Sequence, residues 1–296
     1  MTKSILPVKN DYVFKRIFGD VNNTDILAGF LKSVLDIPED EYEHLEISDP
    51  YLLPDKKDGK AGVLDVKVYT THGKVIDIEI QVEDKIGFKE RIVSYTSRMI
   101  NNQLVRGTDY TIIEKVISIV IADFVLIDEN DEYHNKFVFH DPKTGTTFTD
   151  IIEINTLELG KLPDENDLSD LWDWMKFICV KEEDAMAELD KIAERNPQIK
   201  KAVGVLRQLS EDERERELAW ARERAIMDKR AEMMFAEAKG EARGKAEGKV
   251  EGKAEGIAEG EIRKALETAR NMKDKGYPIS DIAEITGLSV EEIEKL

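Results

Sequence analysis

Asp65 and Glu79 are two carboxylates whose spacing along the chain can bring them side by side. They lie in V-L-D-V-K-V-Y-T-T-H-G-K-V-I-D-I-E-I-Q-V-E, residues 63–83, two runs of alternating apolar and polar residues joined at His72-Gly73. A three-residue turn of Thr71, His72 and Gly73, with glycine taking the left-handed conformation, sets Asp65 opposite Glu79. The next register that preserves the alternation sets Asp65 opposite Gln81 instead. In either register like charges meet on one sheet face and repel unless a cation lies between them. A hard divalent cation such as Mg²⁺ suits this pair, with the Ile80 carbonyl as a further ligand and waters completing the shell. Mn²⁺ and Ca²⁺ share the preference for oxygen. Gln81, two residues after Glu79, points the same way and can orient a water. Such an ion stabilises charge on a phosphoryl oxygen and makes a water more acidic, which is the chemistry of phosphodiester hydrolysis.

The alternation places Leu64, Val66, Val68, Ile76, Ile78, Ile80 and Val82 on the core face of the hairpin. Asp65, Lys67, Tyr69, Asp77, Glu79 and Gln81 share the other face, where Lys67 offers Asp65 a positive charge. Ahead of the hairpin, the pattern predicts a helix over 10–18, with Asp11 near its start, a second helix over 24–35, a strand near 45–53 and a polar turn over 55–60. After it, an amphipathic helix is expected over 88–106, closing at Gly107. Arg91, Tyr95, Arg98, Asn102 and Arg106 would share one face of that helix, good partners for phosphate on an otherwise acidic protein. Residues 116–126 are nearly all apolar and β-branched, as in a strand buried on both faces. The order is helix, strand, strand, strand, helix, strand. A peripheral hairpin is expected from 137–140 and 147–157 across P-K-T-G, and helices from Leu168 onward.

The 296 residues carry 62 acidic and 43 basic side chains, a net charge of −19. Acidic residues outnumber basic ones on both sides of Leu209, which excludes broad adhesion to nucleic acid or to an anionic membrane. Contact with DNA must come from a local patch or a bridging ion. The one cysteine, Cys179, excludes an intrachain disulfide and a cysteine-rich zinc site, and its apolar surroundings predict a buried, inert thiol. His44, His72, His134 and His140 are too scattered to predict zinc. With no signal-peptide core and no 18-residue apolar run, a soluble cytoplasmic protein is expected. Glycine recurs at 240, 244, 248, 252, 256 and 260, a tetrad pattern that fits either a long helix or a charged linker. The last 18 residues read as a helix-turn-helix with Gly287 in the turn. Glu291, Glu292 and Glu294 suit a packing or protein-contact module better than DNA.

The spaced D…E-x-Q within this element order resembles the PD-(D/E)XK nuclease superfamily. More narrowly, N-D-Y-V-F-K-R-I-F-G, I-E-I-Q, K-E-R-I-V-S-Y and R-G-T-D-Y resemble the Rpn family of recombination-promoting nucleases, some of which are named as transposases. The resemblance implies an α/β restriction-endonuclease-like core (αβββαβ) followed by an α-helical C-terminal region. The expected divisions are 1–160 for the core, 161–238 for helices, 239–262 for the glycine tetrads and 263–296 for the small terminal module. It implies Asp65 and Glu79 as metal ligands, Gln81 in the position usually held by a catalytic lysine, and Asp11 as an acid completing the site. Arg91 and Tyr95 would then stand near the scissile phosphate. The superfamily's proline is absent, since Leu64 precedes Asp65. The implied function is a Mg²⁺-dependent DNA endonuclease linked to recombination, mobile elements or phage defence. Its partners would be DNA and a second copy of the chain, joined through the helical C-terminal region. The rival is an inactive nuclease-fold protein that binds nucleic acid or protein, or serves assembly.

Overall fold

The computed structural model describes residues 4–52, 62–107, 109–180 and 185–296. The polar turn expected over 55–60 lies outside them. Six strands form one mixed sheet in the order β1 (Glu46–Ser48), β4 (Val66–Tyr69), β5 (Val75–Gln81), β6 (Val116–Ala122), β8 (Thr147–Glu158) and β7 (His134–His140). The strand expected over 45–53 breaks at Asp49-Pro50, and β2 (Tyr51–Leu52) pairs separately with β3 (Gly62–Val63). Proline has no amide to donate to a ladder, which accounts for the break. The hairpin expected to be peripheral is instead part of the main sheet. β8 lies parallel to β6 along seven paired positions, and β7 forms the edge.

β4 and β5 pair in the register of the three-residue turn: Val66 faces Ile78, Lys67 faces Asp77 and Tyr69 faces Val75. Gly73, at φ 89°, donates its amide to the Thr70 carbonyl. β6 is buried along its whole length between two parallel neighbours, as its unbroken apolar run requires.

Helix α1 (Asp11–Phe18) begins where the Asn10 side chain accepts from the amides of Tyr12 and Val13, satisfying donors the first turn leaves open. Its buried face of Val13, Phe14, Ile17 and Phe18 packs with α2 (Thr24–Val34). Phe14, Phe18, Phe30 and Trp174 stack in succession with ring centroids 4.6–5.9 Å apart. Helices α4 (Asp170–Cys179), α5 (Ala185–Arg195) and α6 (Pro197–Glu211) share this core with one face of the sheet. Cys179 is half-buried against the same core rather than fully enclosed.

α3 (Phe88–Asn101) packs on the opposite sheet face through Phe88, Ile92 and Met99. It begins after Gly87, at φ 78°, and stops five residues short of the expected end. Arg106 therefore lies in a turn beyond the helix, next to Gly107 at φ 93°, and off the face shared by Arg91, Tyr95 and Arg98.

The chain divides into two compact units, Met1–Arg224 and Ala225–Leu296. Residues 239–262 are helical within α7 (Glu213–Asp274), so the tetrads read as helix rather than linker. Apart from the helix's own neighbouring backbone, no atom of the described residues lies within 4 Å of where a Cβ would stand on any of the six glycines. In the C-terminal unit, α8 (Ile279–Thr286) and α9 (Val290–Glu294) meet across Gly287, at φ 71°. Ile282 and Ile293 bury against Ala269 of α7.

Candidate active site

The polar face of β5 is covered rather than solvated. Asp77, Glu79 and Gln81 are all buried, at 0%, 6% and 9% exposure, because α3 lies over this face. Leu64 breaks the alternation. It packs with Val75, Met99 and Val116 on the α3 side instead of joining Val66 and Val68 in the main core. Regular pairing of β4 with β5 starts only at Val66, so the ladder has run out beside Glu79 and Ile80.

Asp65 fills that gap. Its amide donates to Glu79 Oε1 at 3.2 Å, and its carboxylate Oδ2 accepts from the Ile80 amide at 2.9 Å. A side chain thus replaces the missing strand partner, and the two carboxylates are locked together. Lys15 Nζ, from α1, stands 2.8 Å from Asp65 Oδ1. Lys15 carried no role in the sequence reading; its signal is a position four residues after Asp11, one turn along the same helix face. Lys67 does not supply the charge on Asp65. It faces Asp77 across the strands, with its ammonium 5.0 Å from the Tyr69 ring centre.

Asp11 pairs with Arg222 of α7 at 2.6 Å, while its other oxygen is buried without a hydrogen-bond partner among the described residues. Arg91 NH2 donates to Gln81 Oε1 at 2.8 Å, and its guanidinium lies 4.8 Å from the Phe88 ring centre and 6.0 Å from that of Tyr95. Arg91, Tyr95 and Gln81 are therefore one group beside Glu79. Arg98, one turn further, is within electrostatic reach of Tyr95.

The charges on this face are unbalanced. Burial, then the neighbouring Asp65 carboxylate, pushes Glu79 up to about 8, against the pull of Arg91 and Lys15. Burial, then Glu79 and Asp65, raises Asp77 well above the usual carboxylate range, and neither of its oxygens has a hydrogen-bond partner among the described residues. Burying a carboxylate without a partner is costly, so this face favours either retained protons or an added cation. The donor set fits a divalent ion that keeps several waters: the Asp65 and Glu79 carboxylates with the Ile80 carbonyl. Among the described residues, no group of three or more His, Cys, Asp or Glu side chains converges to cage a metal.

Residues 8–236 match the PD-(D/E)XK nuclease family transposases. The chain belongs to that family. No curated protein and no solved structure matches it in the same comparisons. The matched span runs from α1 through the whole sheet and into α7, so it contains every residue of the site described above. In this PD-(D/E)XK family member, the D…E-x-Q pattern corresponds to an Asp65–Glu79 pair at the open end of the β4–β5 ladder. No described helix is long and apolar enough to cross a membrane.

Proposed function

We propose that this chain is a divalent-metal-dependent DNA endonuclease that hydrolyses phosphodiester bonds. The observation that carries the reading is the locked Asp65–Glu79 pair, in which buried Glu79 stays well above its ordinary value despite Arg91 and Lys15, in a member of a nuclease family. Asp65, Glu79 and the Ile80 carbonyl would hold the ion, with Mg²⁺ first and Mn²⁺ or Ca²⁺ as substitutes. When bound, the ion supplies charge stabilisation at the phosphoryl group and acidifies a water.

The side chains have separable roles. Gln81, held through its Oε1 by Arg91, presents its amide N–H groups for orienting the attacking water. An amide carries no charge and takes up no proton, so Gln81 is not a general base. Arg91, Tyr95 and Arg98 are the phosphate contacts on α3, and Lys67 and Arg106 extend the basic surface toward flanking DNA. Asp11 helps set the position of α1 through Arg222. The narrower likeness to the Rpn recombination-promoting nucleases belongs to the same reading, with a role in recombination, mobile elements or phage defence in the cytoplasm. Cutting both strands needs two sites, which a homodimer through the helical C-terminal region would supply.

The test is nicking of supercoiled plasmid in Mg²⁺, Mn²⁺ and EDTA by wild type, Asp65→Ala and Glu79→Ala. Metal-dependent nicking lost in both variants supports the reading. Silence of the wild type in every metal, or unimpaired variants, would overturn it in favour of a binding protein on a nuclease fold.

A further inference from the structure

Among the described residues, Arg91, Lys67 and Lys15 approach the carboxylates of this face, and Lys15 is the one that pairs directly with Asp65. Arg91 is committed to Gln81 at 2.8 Å and lies against Phe88. Lys67 faces Asp77 and lies over Tyr69. Lys15 stands on Asp65 Oδ1, with 35% of its side chain exposed against 14% for Asp65. It therefore touches the ion-binding carboxylate from the solvent side, where a phosphate must arrive.

We infer that the Lys15 ammonium, presented by α1 at 2.8 Å from Asp65, supplies the positive charge at the scissile phosphate that Gln81 cannot. This rests on the nuclease reading above. As water oxygen bonds to phosphorus and the bond to the leaving sugar oxygen breaks, negative charge builds on the non-bridging oxygens. The attacking water releases its proton to solvent, and the leaving oxygen takes one from solvent. Lys15 takes no part in proton transfer and acts by its charge alone.

Helix α1 is built to hold that ammonium still. Four of its eight residues are buried on the side away from Lys15. Tyr12 Oη donates to Glu215 at 2.7 Å, Arg16 meets the same carboxylate at 3.2 Å, and Asn10 Nδ2 donates to the Ala219 carbonyl at 3.1 Å. Those ties flank Lys15 on both sides, so its place over Asp65 is set by the helix and not by the ion pair alone.

The experiment compares full-length wild type, Lys15→Met and Lys15→Arg in single-turnover cleavage of saturating duplex with Mg²⁺. Mn²⁺ affinity is measured separately by electron paramagnetic resonance without DNA. Lys15→Met should slow cleavage about 10²-fold or more. It should also tighten Mn²⁺ binding about tenfold, because a like charge leaves the ion's neighbourhood. Lys15→Arg should recover most of the rate. A Lys15→Met variant that binds Mn²⁺ more weakly would show that Lys15 merely positions Asp65 and would overturn the inference. So would one that cuts as fast as wild type. An inert wild type overturns the nuclease reading and the Lys15 role together, whereas an active wild type with an equally active Lys15→Met overturns the Lys15 role alone.

Discussion

Glu79 on β5 and Glu153 on β8 are buried to nearly the same degree, two strands apart and on opposite faces of the sheet. Their surroundings are opposite in sign. Glu153 meets Lys115 at 2.8 Å and Lys136 at 3.2 Å and accepts from Asn155 Nδ2 at 2.9 Å. Burial works to raise it, but Lys115, Asn155 and Lys136 outweigh burial and leave it below its ordinary value. Glu79 has Asp65 and Asp77 as neighbours and is raised to about 8. Glu158, fully buried on the α3 face, repeats the Glu153 solution with Lys161 and the amides of Leu126 and Ile127. So this protein neutralises buried acids where they only support the fold. The β5 face keeps an excess of negative charge, which under the nuclease reading proposed above a bound cation would offset.

The comparison can be broken most sharply by activity. Asp65→Ala or Glu79→Ala should each lower nicking at least about 10³-fold, while Glu153→Gln should leave the rate per folded molecule unchanged. Equal losses at Glu79 and Glu153 would erase the distinction.

Stability against pH comes next. Folded Glu79 keeps its proton up to about 8, whereas the unfolded chain releases it near 4.5. Between those values the folded state binds more protons, so metal-free stability should fall as pH rises, by up to about 4 kcal/mol. Urea melts in EDTA from pH 5 to pH 8 would show the fall, and Glu79→Gln should reduce it, leaving the part that comes from Asp77, whose carboxyl burial also raises. Mg²⁺ or Mn²⁺ should reverse the loss at pH 8 in wild type and fail to do so in Asp65→Ala, because only the intact pair binds the ion in the folded state.

At pH 8 the two glutamine substitutions should also differ in sign. Glu153→Gln takes the buried carboxylate away from Lys115 and Lys136, leaving Lys115 only the exposed Asp150, and should cost about 2–3 kcal/mol. Glu79→Gln removes a repulsion and should stabilise. The smallest effect expected is from Asp77→Leu, a gain of about 1 kcal/mol in the same melts, since among the described residues neither Asp77 oxygen has a hydrogen bond to lose. A clear loss there would show that the Asp77 carboxyl stabilises the fold.

The hairpin register was legible to within two residues: alternation left two pairings open, and the structure takes the one set by a turn of Thr71, His72 and Gly73. Alternation also separated the polar face of β5 correctly. It failed at Leu64, where the strand breaks and the side chain crosses to the α3 side. The end of α3 was misplaced because Gly107 marks a left-handed turn beyond the helix rather than its cap. Periodicity left the tetrads open between helix and linker, since each glycine costs about 1 kcal/mol while the Glu–Lys spacing repays part of it.

Sequence by itself determined the order of elements, the face that carries Asp65, Glu79 and Gln81, and a choice of two registers that set Asp65 opposite Glu79 or Gln81. These follow from local rules: side chains alternate along a strand, and a slip of two residues keeps each side chain on its face. Only the tertiary structure decided that this face is buried under α3, that Asp65 takes the place of a missing strand at Ile80, and that Lys15 rather than Lys67 meets it. Burial and electrostatic pairing join residues 50 positions apart, and their strength depends on distance and desolvation in space, which no spacing along the chain encodes.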